Sequence, residues 1–282
     1  MSDSAAQSAY WRTGISRITS TDVVIRGFSL FELIGGVTFT QAVYLLIRGE
    51  VPTPGQTRVL DAVLDGVLDY GLEKPGTAAA RFAVSANPSM AAGLAAASLA
   101  VGENTLATEF AGRFIRDTYA DYLQSGQTMN QFARDRVEIL RAQRQRIPGL
   151  GHPVFKRFDP RAQKLRSIAV DEGLWGDAAE LYEAMHREFT SLPGKQDIPI
   201  NDVGVLAAII DSLGFTPEEG TGLAILSTIP GLIAHISEEL GARVPIRVIP
   251  RDQVDYDVVD DRDLETALTT AGWVGAPSPE HR

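Results

Sequence analysis

Gly149-Leu150-Gly151-His152-Pro153-Val154-Phe155-Lys156-Arg157-Phe158-Asp159-Pro160-Arg161 is the stretch on which the reading of this chain turns. Two glycines flanking one residue permit positive φ and close backbone approach, and they set an imidazole beside that permissive backbone. Pro160 suits the first position of a helix and Asp159 its N-cap. Arg161 then opens the helix, where its fork can meet a carboxylate; the plainer alternatives are a surface charge or an interdomain ion pair. Alone, a Gly-x-Gly merely ends helices and a lone histidine is more often structural. Together, at this spacing, they point to a site.

Working outward, apolar residues recur at three- and four-residue spacing and alternating runs are scarce, so the chain is read as all-α. Thr38 to Arg48 places Phe39, Val43, Leu46 and Ile47 on one stripe and stops at Gly49, with Pro52 and Pro54 beyond. A helix from Pro54 or Gln56 to Leu68 turns Val59, Leu60, Val63, Leu64 and Val67 inward. The alanine-rich residues 76–100 predict helices in close contact. Two helices follow, over 106–123 and 130–146. The second carries Arg134, Arg136, Arg141, Arg144 and Arg146, which form either a solvated face or a positive potential at the entry to the glycine loop. Helices over 161–174, 176–191, 201–213 and 217–240 complete the pattern. The stretch Val244 to Ile249 reads as extended, and the acidic residues after Pro250 as an arm or a partly disordered tail.

The chain has 282 residues, no cysteine, four histidines and a formal net charge of −10. Thiolate catalysis, disulfides and cysteine-ligated metals are excluded, and the histidines are too dispersed for a local metal pair, so no metal is expected. The acidic balance argues against nucleic acid as a partner. The amino terminus lacks a signal pattern and no run of about 20 uninterrupted apolar residues occurs, so a cytoplasmic protein with no membrane partner is expected.

The glycine-loop string resembles the Gly-x-Gly-His-x-Val-x-x-x-x-Asp-Pro-Arg signature of citrate synthases, ATP-citrate lyases and citryl-CoA lyases. The similarity continues through Ile25-Arg26-Gly27-Phe28, Thr38 to Leu46, Gly49-Glu50-Val51-Pro52, Pro199-Ile200-Asn201-Asp202 and Gly231-Leu232-Ile233-Ala234-His235. The opening Trp11 to Ser16 and the length are most similar to small stand-alone citryl-CoA lyase-like proteins. The resemblance implies a citrate synthase-like fold: a large helical domain (1–109 and 216–282) with an inserted smaller helical domain (110–215). It also implies a homodimer or higher homo-oligomer.

For function the resemblance implies a carbon–carbon bond made or broken beside the carbonyl of a coenzyme A thioester, with acyl-CoA and a keto acid, or their condensation product, as ligands. Asp202 matches the base, although its place before an apolar helix also suits an N-cap. His152 matches the donor to the ketone or alcohol oxygen, and Arg161 the carboxylate partner. Gly149, Leu150 and Gly151, with Arg146 and Lys156 on either side, fall on the coenzyme A segment. His235 is read as structural, His186 and His281 as exposed. The chain departs from the family where Tyr70 replaces a histidine, where Asn104 and Thr105 occupy a histidine-bearing loop, and where Thr228 replaces an arginine. Tyr70, Asn104 and Thr105 are the corresponding substrate-binding candidates. Two charge-assisted bonds worth about 1.5–3 kcal/mol each are lost from a tricarboxylate site, which implies a less carboxylated substrate than citryl-CoA. The alternative is a catalytically degenerate homologue that binds coenzyme A as a regulatory or scaffold subunit.

Overall fold

The computed structural model describes residues 10–243, 245–258 and 261–273. Residues 1–9, Val244 and His281 lie outside the described residues. Among those described, twelve α-helices and one small antiparallel sheet account for the regular structure. The sheet was not anticipated. It joins β1 (Ser16–Ile18), β2 (Val23–Ile25) and β3 (Phe28–Ser29) in sequence order. Its strands are too short to show alternation, but Arg26 and Gly27, with φ of 49° and 93°, form the two-residue turn that joins β2 to β3. The Arg26 guanidinium donates to the Leu46 and Ile47 carbonyls at 2.9 and 3.2 Å, capping the helix that follows.

After α1 (Leu30–Leu33), that helix is α2 (Phe39–Arg48), opened by a capping box on Thr38 and closed by Gly49 at φ 85°. Its buried face is Thr40, Val43, Tyr44 and Leu45. Phe39 and Leu46, expected inward, are exposed. The helix is rotated because Tyr44 packs edge-on against Phe215 at 5.4 Å and its hydroxyl accepts from Gln56. A polar partner thus lets a tyrosine take the core position that simple periodicity gives to phenylalanine.

α3 (Pro54–Asp65) buries Val59, Leu60 and Val63 as expected. Next come α4 (Pro75–Ala86), α5 (Met90–Leu99), α6 (Glu109–Ser125), α7 (Met129–Ala142), α8 (Pro160–Asp171), α9 (Asp177–Thr190), α10 (Asp202–Ser212) and α11 (Pro217–Ala242). The larger core surrounds α10, which packs on α6, α8, α9 and α11 and buries nearly its whole length. A smaller core joins α4, α5 and α11 through Ala80, Val84, Ala97, Leu232 and Ile236. α11 is the one described helix long and apolar enough to cross a membrane. Its contacts with five other helices and its buried Glu239, ion-paired with Arg81 at 2.6 Å, make it a central core helix.

The chain divides into two units, bounded Met1–Pro245 and Ile246–Arg282. In the second, a 3-10 turn (Arg251–Gln253) precedes α12 (Leu264–Thr270), capped by Asp263. The stretch read as extended near 244–249 forms no strand among its described residues.

Close packing of the alanine-rich helices depends on Gly93, where a Cβ would lie 2.6 Å from Ile236 and 2.7 Å from Val84. Gly93→Val should therefore cost about 1–3 kcal/mol in denaturant unfolding. Gly222→Ala, on α11 with nothing within 4 Å of the added carbon, should stabilise by about 0.5–1 kcal/mol.

Candidate functional site

The glycine loop is clasped to the strand-like segment before α10. The Gly151 N–H donates to the Pro199 carbonyl at 2.8 Å, and the Asn201 N–H to the Gly149 carbonyl at 2.9 Å. The Asn201 side-chain amide adds a bond to the Gly151 carbonyl at 2.8 Å, and Leu150 pairs with Ile200 as an antiparallel bridge. Both glycines have positive φ, 79° and 94°. At Gly149 a Cβ would sit 2.5 Å from both Gly204 Cα and the Tyr182 hydroxyl, so the two backbones meet only because both residues are glycine. The Tyr182 hydroxyl donates to the Pro148 carbonyl at 2.6 Å, and burial pushes its pKa up, which keeps it a donor.

This clasp decides the fate of Asp202. Asn201, not Asp202, caps α10, its Oδ1 accepting from Gly204 N at 3.0 Å. Asp202 is the first helical residue, is 6% exposed, and keeps its carboxylate for other partners. The Tyr70 hydroxyl donates to Asp202 Oδ2 at 3.0 Å, and Arg161 reaches the same oxygen at 3.1 Å. Oδ1 accepts no hydrogen bond among the described residues. Burial, then the Asp202 carboxylate, raise the Tyr70 pKa and hold the phenol protonated as a donor. Partial burial disfavours the Arg161 charge, but Asp202 and Asp159 outweigh it and raise that pKa.

Arg161 stands where two helix N-termini meet. Fully buried Asp159 caps α8, accepting from the Arg161 N–H at 2.9 Å, and its Oδ2 lies 3.5 Å from the guanidinium. Tyr70 is positioned by α11. Pro230 has no N–H for its helical turn, and the next amide, Gly231, turns to the Leu68 carbonyl at 3.1 Å. Ser227 donates to the Leu64 carbonyl, and His235 bonds Asp69 at 3.0 Å, tying residues 64–69 to the same helix. His235 thus has a structural contact.

His152 follows the clasp directly. Its Nδ1 accepts from the Val154 and Phe155 amides at 3.1 and 3.0 Å, and its ring stacks on Phe155 at 4.6 Å. Two donors on Nδ1 leave the proton on Nε2, so the neutral ring presents a donor outward.

Beside Tyr70 lies a cavity of about 40 Å³, whose lining includes Thr105, Leu106 and Thr228. Gly102 and Thr105 exchange two backbone bonds, 3.1 and 2.9 Å, in a tight turn that directs Thr105 there and leaves Asn104 exposed, outside the cavity lining. Arg146 and Lys156 are exposed, and the Lys156 ammonium reaches the His152 carbonyl at 3.4 Å. Of the arginine-rich helix, Arg134 and Arg136 pair with Glu188 and Asp121, as a solvated face would. Arg141 and Arg144, with Lys195, line a separate basic cavity. His186, read as exposed, is partly buried with Nε2 bonded to the Ile198 carbonyl at 2.8 Å. Its ring bridges α9 to the segment that leads to Asp202. Sequence reasoning did not find the roles of Asn201 and Tyr182; asparagine before an apolar helix was a usable cap signal, whereas Tyr182 carried none.

Burial lowers the His186 pKa below 6.5, outweighing the opposing Ile198 carbonyl and Glu183. The unfolded chain therefore takes up a proton near that value while the native state resists it, so stability falls as pH drops below about 6.5. His186→Gln should flatten this fall in pH-dependent chemical denaturation. Gly149→Ala should cost more than 2 kcal/mol of stability (about 1–2 from φ alone, with the clash added) in the same assay.

The citrate synthase C-terminal domain family matches residues 53–249. The citryl-CoA lyase of Hydrogenobacter thermophilus is 33% identical, with a TM-score of 0.82 over 93% of this chain and 100% of that one. The ATP citrate lyase of Methanothrix soehngenii, solved with citrate and coenzyme A, gives 20% identity and a TM-score of 0.73 over 90% of this chain, which spans 43% of that protein. The citrate synthase of Pyrobaculum aerophilum gives 22% identity and a TM-score of 0.59 over 82% of this chain and 56% of that one. These last two likenesses concern the fold. No curated protein sequence matches significantly.

Proposed function

The chain belongs to the citrate synthase family, and from that premise we propose that it is a coenzyme A-thioester carbon–carbon lyase or condensing enzyme of the citryl-CoA lyase type. The observation that carries the proposal is the buried Asp202 carboxylate, held on Oδ2 by Tyr70 and Arg161, with Oδ1 left to accept a proton. In condensation, Asp202 takes a proton from the carbon next to the thioester carbonyl. That carbon bonds to a ketone carbon, and the ketone oxygen gains a proton, with the His152 Nε2–H as the positioned donor. Cleavage reverses these steps.

In this reading Gly149, Leu150 and Gly151 lie along the coenzyme A, with Arg146 and Lys156 supplying positive charge for its phosphates. Residues 110–215 act as a smaller domain inserted between 1–109 and 216–282. A homodimer is part of the proposal. It is supported by α5, apolar on every side apart from Ser98, which leaves Leu99 at 86% exposure in a single chain. The substrate carries fewer carboxylates than citryl-CoA. Tyr70, Thr105 and Thr228 supply hydroxyls to the cavity rather than charge, and Arg161 is already flanked by two carboxylates. That double pairing is also what favours the alternative of a coenzyme A-binding subunit without catalysis.

Acetyl-CoA in D2O separates the two. Wild type should exchange the methyl protons, read by loss of their NMR signal, and Asp202→Asn should slow this by about a hundred- to ten-thousand-fold. No exchange despite a coenzyme A-induced thermal shift would remove the enzymatic reading and leave the binding subunit. His152→Ala should abolish turnover while coenzyme A binding by calorimetry stays near wild type; equal loss of affinity would assign His152 to shaping the loop.

A further inference from the structure

The cavity beside Tyr70 has a chemical character that the proposed reaction does not use. Much of its wall is apolar, including Ala97, Ala100, Val101 and Leu232. Lys74, exposed at the rim, is the one lysine or arginine among the described residues that line it. Its ammonium lies 6.0 Å from the centre of the Tyr70 ring, the same ring whose hydroxyl holds Asp202. Lys74 forms no ion pair among the described residues. The acidic group that shares the cavity, Asp69, is bonded to His235 at 3.0 Å. Arg161 differs in both respects, since its charge is met by Asp202 and Asp159.

An apolar wall, three threonines (Thr77, Thr105 and Thr228) and one cation without an ion pair among the described residues suit a ligand with an apolar body and a single negative end. A second carboxylate would meet only neutral threonine hydroxyls and the Asp69 carboxylate, with no second lysine or arginine among the described lining residues to offset the cost of desolvating its charge. We infer that Lys74 is the specificity-determining cation of this site: it binds the single carboxylate of a 2-oxo acid whose alkyl chain lies against Ala97, Ala100 and Val101. This rests on the reading of the chain as a thioester lyase or condensing enzyme, and it names the class of its second substrate as an alkyl 2-oxo monocarboxylate.

The test is calorimetric binding to the full chain, with and without coenzyme A, of 2-oxobutanoate, 4-methyl-2-oxopentanoate and oxaloacetate. The alkyl monocarboxylates should bind more tightly than oxaloacetate. Lys74→Met should weaken them roughly ten-fold or more, the loss of one charge-assisted bond, whereas Lys74→Arg should hold them within a few-fold. Because Lys74 is exposed, thermal melts should show both variants folded. Unchanged affinity in Lys74→Met, tighter binding of oxaloacetate by wild type, or binding of none of the three acids would overturn the assignment. Loss of methyl exchange with these affinities intact would instead overturn the proposed reaction alone.

Discussion

Two short backbone segments, 149–151 and 199–201, are joined by hydrogen bonds, and just beyond them Gly149 meets Gly204 so closely that both positions require glycine. His152, Arg161 and Asp202 are all placed by that contact. One segment delivers His152 and, through the Asp159 cap, Arg161; the other delivers Asn201, whose cap begins α10 one residue before Asp202. Moving the cap by one residue would spend the Asp202 carboxylate on helix amides. The local rule that asparagine and aspartate both cap well is therefore resolved by the clasp, which fixes Asn201 at that position and frees its neighbour.

Burying Asp202 costs solvation, and the surroundings offset that cost three ways. The positive end of α10 faces the carboxylate, Tyr70 donates to it, and Arg161 pairs with it. Among the described residues, all of the side-chain support falls on Oδ2. The asymmetry matters for chemistry, because a carboxylate saturated on both oxygens makes a poor proton acceptor. Tyr70 is itself held by an irregularity, the turn of α11 that Pro230 breaks and Leu68 completes. A helix defect on the far side of the cavity thus sets the geometry at the proposed base.

Much of this was readable from the sequence, because the strongest local signals coincide with the main elements. Thr38, Thr53 and Thr216 open capping boxes, and Gly49 closes α2. The Gly149–Arg161 string marked the site, and the Asp159–Pro160 cap formed as expected. What was not readable depends on contacts distant in sequence. The rotation of α2 follows from Tyr44 meeting Phe215, the burial of His186 from the Ile198 carbonyl, and the short hairpin near 16–29 from strands too brief to show a period. Asn104 and Thr105 looked alike in sequence, yet a four-residue turn sends only Thr105 to the cavity. Lys74 carried no motif at all; it stands beside the Tyr70 ring with no ion pair among the described residues.

The central claim is that the glycine pair serves first as an internal clasp, formed before any ligand arrives. Amide hydrogen exchange of the unliganded protein, resolved at Gly151 and Asn201, tests it most directly. Both amides should be protected to the level of the α10 core and gain little protection when coenzyme A is added. Rapid exchange at Gly151 that is suppressed only by coenzyme A would contradict the claim, showing instead an open backbone cradle that closes on the ligand.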